Sequence, residues 1–322
     1  MYLLFNNSLI PLLFLIISVS GCSTLPNSHS TLEMANVKGL QFSKELKYVP
    51  FYAQEKYQCG PATLAMALND AGVEVKPDDL VDQVFIPARK GSLQVEMLTS
   101  TRRHGLIAYE LAPDLSDLLK EIDGGTPVIV LENNSFGFNK NWHYSTVIGY
   151  DLKEKIIIRR SGLNARETLP MNFFEFLWKS GGNWAMIAIP PDRLPATVTL
   201  ERYTKAVLAL EKSGQINAAR VAYGTMIKRW PNSLAGQMGL GNTAYEMKDF
   251  NEAENAFFKA TQDHPFAVAA FNNLAQVYIK LEKLDLALSS AKHAVNLGGP
   301  LESKAKETLE EVVQQLTILN SR

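Results

Sequence analysis

A single cysteine in the body of the chain stands at a predicted helix start. The chain has 322 residues and two cysteines, Cys22 and Cys59. Gly60 and Pro61 follow Cys59, and an apolar run with helical spacing then ends near Gly72; proline in the first helical turn is typical of a helix N-terminus. Amide N–H groups and the positive end of the helix dipole favour thiolate over thiol there. The pattern predicts a nucleophile with a lowered pKa, and a buried, inert thiol is the alternative.

A thiolate nucleophile needs a proton shuttle, and the positions of the five histidines narrow the choice. One lies near the N-terminus, one at a predicted helix end and two in the helical C-terminal half. His143 remains, near the start of a β-rich alternating run that ends at Asp151. A histidine at a strand end, after a loop, can be held rigidly and still face a cleft, as a general base should. We therefore expect His143 to act with Cys59.

The N-terminus has the pattern of an export signal. Residues 9–19 form a short apolar run that ends just before a Ser-Gly-Cys triplet at Cys22, and this run is too short for the ~20 helical residues that cross a bilayer. The triplet resembles the lipobox of bacterial lipoproteins, which implies a signal over 1–22 and lipidation of Cys22; an ordinary signal peptide or an uncleaved anchor is the alternative. Residues 23–39 are predicted to form a flexible tether. Ser23 in the place of aspartate implies an outer-membrane lipoprotein that faces the periplasm.

Composition excludes several classes of protein. Lys and Arg total 32 against 33 Asp and Glu, and 46% of the residues are hydrophobic, which argues against a long basic face for nucleic acid and against a mostly disordered chain. If Cys22 carries lipid, the one remaining thiol cannot form an internal disulfide. The chain has no phosphate-binding loop, no dinucleotide-binding glycine run and no zinc-ligand spacing. We expect no cofactor and no metal, and hence a metal-free thiol mechanism.

The rest of the chain divides into two halves with different patterns. Over 40–191 short helical patterns alternate with β-rich runs, which predicts an α+β domain with helices packed on an antiparallel sheet. Three prolines around 192–199 predict a stiff, extended linker. Over 200–322 long helical patterns follow one another and no strand pattern is found. This half is therefore predicted to be all helical.

The helical half repeats with a step of 34 residues. That step aligns Ala219 with Ala253 and Ala287, and Pro231 with Pro265. The pattern resembles the tetratricopeptide repeat, which implies a solenoid of three repeats plus a cap helix. Such a solenoid offers a concave groove for a protein substrate or partner. Polar candidates for the groove, each with solvated surface as the alternative, are Asn242, Tyr245, Asn272, Asn273 and Gln276.

The cysteine and histidine blocks carry a second resemblance, which covers about 48–191. A glutamine at Gln54, the Cys-Gly-Pro-Ala run at Cys59, a Thr-Pro-Val-Ile-Val strand and the Trp-His-Tyr-Ser-Thr block at His143 resemble papain-like peptidases that cleave bacteriocin precursors after a double glycine. They are especially similar to lipoprotein relatives with tetratricopeptide repeats. The resemblance implies a papain-like cysteine peptidase domain. Cys59 would be its nucleophile, His143 its general base and acid, and Gln54 an oxyanion donor.

Two departures from the family pattern leave alternatives open. Gln54 precedes the cysteine by five residues where six is usual, so Gln58 is a rival oxyanion donor. An Arg-Ser-Gly run at Ser161 stands where the family has Asp-Pro, so no carboxylate is available there to orient His143. Ser161, Asn164 or a backbone carbonyl are alternatives, as is a Cys-His dyad without a third member.

These patterns lead to three hypotheses about function. The first is a lipid-anchored periplasmic cysteine peptidase that hydrolyses peptide bonds through a Cys-His thiolate mechanism. Its repeats would bind a protein substrate or partner, and the lipid on Cys22 would bind the membrane. The second is a thiol amidase or acyltransferase that acts on cell-wall peptides. The third, which the missing aspartate favours, is an inactive peptide-binding scaffold of an envelope secretion or assembly complex.

Overall fold

The structure is a computed structural model that describes residues 39–54, 58–135 and 141–321. The predicted lipobox with Cys22, and nearly all of the predicted tether, lie outside the described residues. Within these three ranges no helix combines the length and the apolar character that a membrane crossing requires. The N-terminal domain packs helices on an antiparallel sheet and the C-terminal half is a run of helices, so the predicted fold class is confirmed.

The N-terminal domain alternates short helices with strands. Its strands are β1 (Ser43–Glu45), β2 (Phe85–Ile86), β3 (Gly91–Ser92), β4 (Ile107–Glu110), β5 (Val128–Asn133), β6 (Trp142–Asp151), β7 (Ile156–Ser161), β8 (Asn164–Pro170) and β9 (Ala185–Ile189). Its helices are α1 (Cys59–Asp70), α2 (Pro77–Val84), α3 (Gln94–Arg103), α4 (Leu115–Asp123) and α5 (Met171–Ser180).

The main sheet has the strand order β4-β9-β5-β6-β7-β8, and every neighbouring pair is antiparallel. Strand β6 is long enough to pair with β5 along its first half and with β1 along its second half. Gly149 permits the second pairing, because a side-chain carbon there would come within 2.6 Å of the Lys44 carbonyl oxygen. Strands β2 and β3 form a separate hairpin.

Side chains that alternate along the strands build a core on each face of the sheet. Val128 and Val130 of β5 point to the face that carries α4 and α5, whereas Ile129 and Leu131 point to the face that carries α1, α2 and α3. All six residues of β5 are buried, as expected for an apolar strand that is covered on both sides. The sheet is therefore the middle layer of a three-layer domain.

Seven helices follow within residues 200–320, as three helix pairs and one final helix. They are α6 (Leu200–Lys212), α7 (Ile216–Arg229), α8 (Leu234–Glu246), α9 (Phe250–Asp263), α10 (Val268–Lys280), α11 (Leu284–Leu297) and α12 (Glu302–Asn320). The alanines of the 34-residue step, Ala219, Ala253 and Ala287, are all buried where helices cross. Small residues are required there because they let helix axes approach closely.

The segment between the two halves is held by a buried carboxylate. Glu121 of α4 is 1% exposed and accepts hydrogen bonds from the backbone N–H groups of Ala196 and Thr197 and from the Thr197 hydroxyl, at 2.6 to 3.0 Å. The Tyr109 hydroxyl donates to the Thr197 carbonyl. Tyr203 of α6 belongs to the same hydrophobic core as Tyr109. The first repeat helix is thus part of the core of the N-terminal domain.

Candidate active site

Cys59 is the first residue of α1, as predicted, and its side chain is half-buried. The helix begins here because Pro61 favours a first-turn position. Inside the first turn, the Thr63 hydroxyl donates to the Cys59 carbonyl at 2.7 Å. Gly60 lies against β3, where a side-chain carbon would overlap the Ser92 hydroxyl. Glycine therefore lets the β2–β3 hairpin pack directly beside the cysteine.

The predicted catalytic side chains line one cavity of about 610 Å³. Cys59 contributes from a helix start, His143 from the beginning of β6, and Gln54 from the segment that precedes α1. The structure thus brings together three residues that are separated by up to 89 positions in the chain. Gln58, the rival oxyanion donor, is not among the described residues that line this cavity.

His143 is oriented by a serine. Its Nε2 lies 2.9 Å from the Ser161 hydroxyl at the end of β7, the strand next to β6 in the sheet. Asn164, the other predicted side chain, pairs with Ser161 across the β7–β8 turn and makes no hydrogen bond to the ring. Among the described residues Nδ1 has no hydrogen-bond partner, and none joins the ring to the Cys59 sulfur. Nδ1 is therefore available to a thiol that approaches it.

Burial favours the neutral forms of both groups. Burial, together with the smaller effect of the positive charge of Arg159, lowers the pKa of His143 to about 4. Burial also raises the pKa of the Cys59 thiol, and this effect exceeds the opposing backbone hydrogen bonds from Tyr144, Gly60 and Cys59 itself. The prediction of a lowered thiol pKa was wrong. The loss of hydration, which raises the pKa, outweighs the stabilisation of the thiolate by the helix N-terminus. At neutral pH the resting pair is thiol and imidazole.

A buried ion pair lies next to His143 in the sheet, and the sequence analysis did not predict it. Glu132 faces His143 across the β5–β6 pair, is completely buried and pairs closely with Arg159 of β7. Arg159 also donates to Glu167 at 2.8 Å, and Ser145 donates to Glu132 at 3.2 Å. The signal in the sequence was a glutamate at the end of an apolar strand, since a buried carboxylate requires a partner.

Gln54 is held in place by β6 and by the β7–β8 turn. Its backbone N–H donates to the Gly162 carbonyl, and the Gly162 N–H donates to its Oε1, both at 3.0 Å. Gly162 takes this position with a φ of 58°, a conformation in which glycine is favoured. Nε2 of Gln54 donates to the Tyr144 carbonyl across 3.5 Å. That long bond uses one of two N–H groups, so the second remains for an oxyanion.

The arrangement has the parts needed for acyl transfer. A thiol at a helix start, an imidazole with a hydroxyl partner, and an amide donor beside backbone N–H groups line the same cavity. The described residues contain no group of three or more His, Cys, Asp or Glu side chains that could hold a metal ion. The thiol, the imidazole and the amide donor are together suited to nucleophilic chemistry.

The polar residues predicted for the repeat groove also share a cavity. It has a volume of about 620 Å³ and is lined from α8, α9, α10 and α12. Asn273 donates to Asn242 at 3.0 Å, while Gln276 donates to Thr308 and Glu311 of α12. Asn272 is 7% exposed, and its Oδ1 has no partner among the described residues.

Two family profiles match the chain, one in each half. Residues 46–186 match the Peptidase_C39 like family, and residues 204–262 and 238–298 match the tetratricopeptide repeat. No curated protein matches the chain.

Solved structures resemble the two halves separately. A protein of Bacillus anthracis described as a C39-like peptidase shares 19% identity and has a TM-score of 0.40, over 46% of this chain and 98% of that one. The TPR2B domain of yeast Sti1 shares 21% identity over 36% of this chain and 97% of its own, with a TM-score of 0.35. The type III secretion chaperone SycD of Yersinia enterocolitica shares 17% identity over 37% and 86%, with a TM-score of 0.35. From the two family profiles, this chain has a domain similar to C39 peptidases followed by tetratricopeptide repeats.

Proposed function

We propose that this protein is a cysteine peptidase that hydrolyses peptide bonds in the cavity around Cys59. The observation that carries the proposal is that Cys59, His143 and Gln54 line one cavity while Ser161 holds the imidazole. We further propose that lipid on Cys22 anchors the protein to the outer membrane on its periplasmic side. In this arrangement the repeat groove binds a protein substrate or a partner protein.

The reaction begins with a neutral pair. Nδ1 of His143 takes the thiol proton as the Cys59 sulfur attacks the peptide carbonyl, and Ser161 accepts a hydrogen bond from Nε2–H. The oxyanion that forms accepts hydrogen bonds from Nε2 of Gln54 and from the Cys59 N–H. Each such donor contributes about 3 kcal/mol to transition-state stabilisation. Because burial disfavours the separated charges, proton transfer accompanies attack rather than preceding it.

The intermediate then collapses to a thioester. The C–N bond breaks, and the imidazolium returns its proton to the leaving amine. Water next attacks the thioester carbonyl while His143 accepts one of its protons. The sulfur leaves and recovers a proton, so that the products are a carboxylic acid, an amine and the unchanged enzyme.

The test is cleavage of unfolded polypeptides by the full chain purified in detergent. We expect new peptide N-termini, detected by mass spectrometry, and a loss of at least ~10³-fold in Cys59→Ala and in His143→Ala. Gln54→Ala should lose about 10²-fold, whereas Gln58→Ala should keep nearly full activity. Cleavage that persists unchanged in Cys59→Ala would rule out the proposal.

An inactive peptide-binding scaffold is the second candidate, and two observations favour it. No carboxylate hydrogen-bonds to His143 within the described part of the chain, and burial raises rather than lowers the thiol pKa. The same polypeptides would then bind without being cleaved, and Cys59→Ala would bind them equally well. Release of stem peptides from purified peptidoglycan in a parallel reaction would instead support a cell-wall amidase.

A further inference from the structure

Two cations stand at one wall of the active-site cavity. The wall is the β2–β3 hairpin, whose connecting turn is a single 3-10 turn over Pro87–Arg89. Arg89 and Lys90 both line the cavity and are both exposed. Lys90 adopts a left-handed conformation with a φ of 51°, which reverses the chain and fixes this pair at the hairpin tip. The cations are thus placed by backbone geometry.

The hairpin is fixed beside the nucleophile. Ser92 of β3 packs against Gly60, the residue after Cys59, and its carbonyl accepts a hydrogen bond from the Tyr144 hydroxyl at 3.3 Å. Two residues of extended chain span about 7 Å. A substrate that lies along this wall therefore meets Lys90 and then Arg89 within about one to three residues of the attacked carbonyl.

Arg89 and Lys90 carry the positive charge among the described residues that line the cavity. Every other described residue that lines it is a glycine or carries a side chain that is neutral at pH 7, with His143 neutral because of its low pKa. Arg89 makes no ion pair with any described residue. A concave wall of one sign attracts the opposite charge more strongly than a flat surface does. The guanidinium group also pairs with carboxylates through two parallel hydrogen bonds.

We propose that this wall selects peptide segments with an acidic side chain one to three residues from the scissile bond. Arg89 binds the carboxylate and Lys90 adds to the attraction. The inference rests on the proposed function for its account of cleavage, but the charge preference belongs to the cavity itself. Binding to the inactive Cys59→Ala chain therefore measures the preference without any cleavage.

The experiment uses pairs of fluorescent peptides that differ only by Glu or Gln, placed at each position from three residues before to three residues after a central bond. Their affinity for Cys59→Ala is measured by fluorescence anisotropy, and their cleavage is measured with the wild-type chain. At low salt we expect the Glu peptide of at least one pair to bind about tenfold more tightly, and the difference to shrink at 0.5 M salt. The preference for the Glu peptide should fall below about twofold when Arg89→Gln and Lys90→Gln are added to the Cys59→Ala chain.

Lys153→Gln with Lys155→Gln is the matched control, since this pair is exposed in the β6–β7 turn and does not line the cavity. It should leave the preference unchanged. Equal binding of Glu and Gln peptides at every position, or a preference that survives loss of Arg89 and Lys90, overturns the inference. Selective binding without cleavage by the wild-type chain supports the inference and counts against the proposed function.

Discussion

The Ser161 hydroxyl lies 2.9 Å from Nε2 of His143, and no carboxylate of the described residues hydrogen-bonds to that ring. A hydroxyl that accepts the Nε2–H bond fixes the imidazole tautomer and leaves Nδ1 to receive a proton from Cys59. It supplies no negative charge, however, so the imidazolium is stabilised less than it would be beside a carboxylate. The pKa of His143 is lowered first by burial and then by the positive charge of Arg159, and a serine does not oppose either effect.

A carboxylate at position 161 should restore the missing charge. We expect Ser161→Asp to raise the pKa of His143 by about 1 to 3 pH units and to speed alkylation of Cys59 at pH 7 by about tenfold. Ser161→Asn, which has nearly the same shape as aspartate without its charge, is the control. NMR titration of the ring and intact-mass kinetics with iodoacetamide measure the two effects. Equal His143 pKa values and equal alkylation rates in the two variants would show that charge at position 161 does not control the Cys59–His143 pair.

The wild-type thiol should react slowly at neutral pH. Because burial raises the pKa of Cys59, the alkylation rate should still be rising above pH 9 rather than levelling off below pH 8. The rate constant for iodoacetamide, measured from pH 6 to 10, checks this. His143→Gln should leave the midpoint almost unchanged, since the resting imidazole is neutral. A plateau below pH 8 would mean that a thiolate is already formed in the free protein.

The sequence predicted which elements carry Cys59 and His143 better than it predicted the pKa of the thiol. Proline and glycine after Cys59 are local signals of a helix start, and the alternating run after His143 is a local signal of a strand, so both elements are found as predicted. The thiol pKa depends instead on how deeply the helix start is buried. That depth is set by packing against β3 and β6, which no local pattern reveals.

The residue that contacts His143 could be predicted only with knowledge of the strand register. Ser161 and Asn164 are three positions apart, and only the pairing of β6 with β7 decides which one reaches the ring. The contacts of the linker could likewise not be predicted from a local pattern. Its prolines predicted a stiff, extended segment, but the buried Glu121 that binds it lies about 75 positions earlier on α4. A glutamate on a predicted helix gives no sign of so distant a partner.

Two glycines in the repeats should respond in opposite ways to alanine. A side-chain carbon at Gly241 of α8 would overlap the Phe257 ring, whereas one at Gly224 of α7 would contact nothing within 4 Å. We expect Gly241→Ala to destabilise the protein by about 1 to 3 kcal/mol, and Gly224→Ala to stabilise it by about 0.5 to 1 kcal/mol through helix propensity. Urea unfolding measures both changes. Destabilisation by Gly224→Ala would contradict the packing described for α7.

The buried carboxylate of Glu121 should couple the repeats to the peptidase-like domain. Glu121→Ala removes the three hydrogen bonds that the buried carboxylate accepts from Ala196 and Thr197, which should cost about 1 to 3 kcal/mol. Glu121→Gln should cost less, because its carbonyl still accepts a hydrogen bond and because burial, which raises the pKa of the glutamate, does not penalise a neutral amide. Glu154→Ala, in an exposed turn, should cost almost nothing.

Whether the two halves unfold in one transition is a more direct measurement of this coupling than the free energy of unfolding. Tyr203 of α6 packs in the same core as Tyr109 of β4, so unfolding of the repeats exposes the core of the N-terminal domain. In urea, circular dichroism, which mainly follows the repeat helices, and tryptophan fluorescence should therefore change together in the wild-type chain. In Glu121→Ala we expect the two transitions to separate, with the repeats unfolding first. Coincident transitions in both proteins would show that the apolar contacts of α6 alone join the two halves.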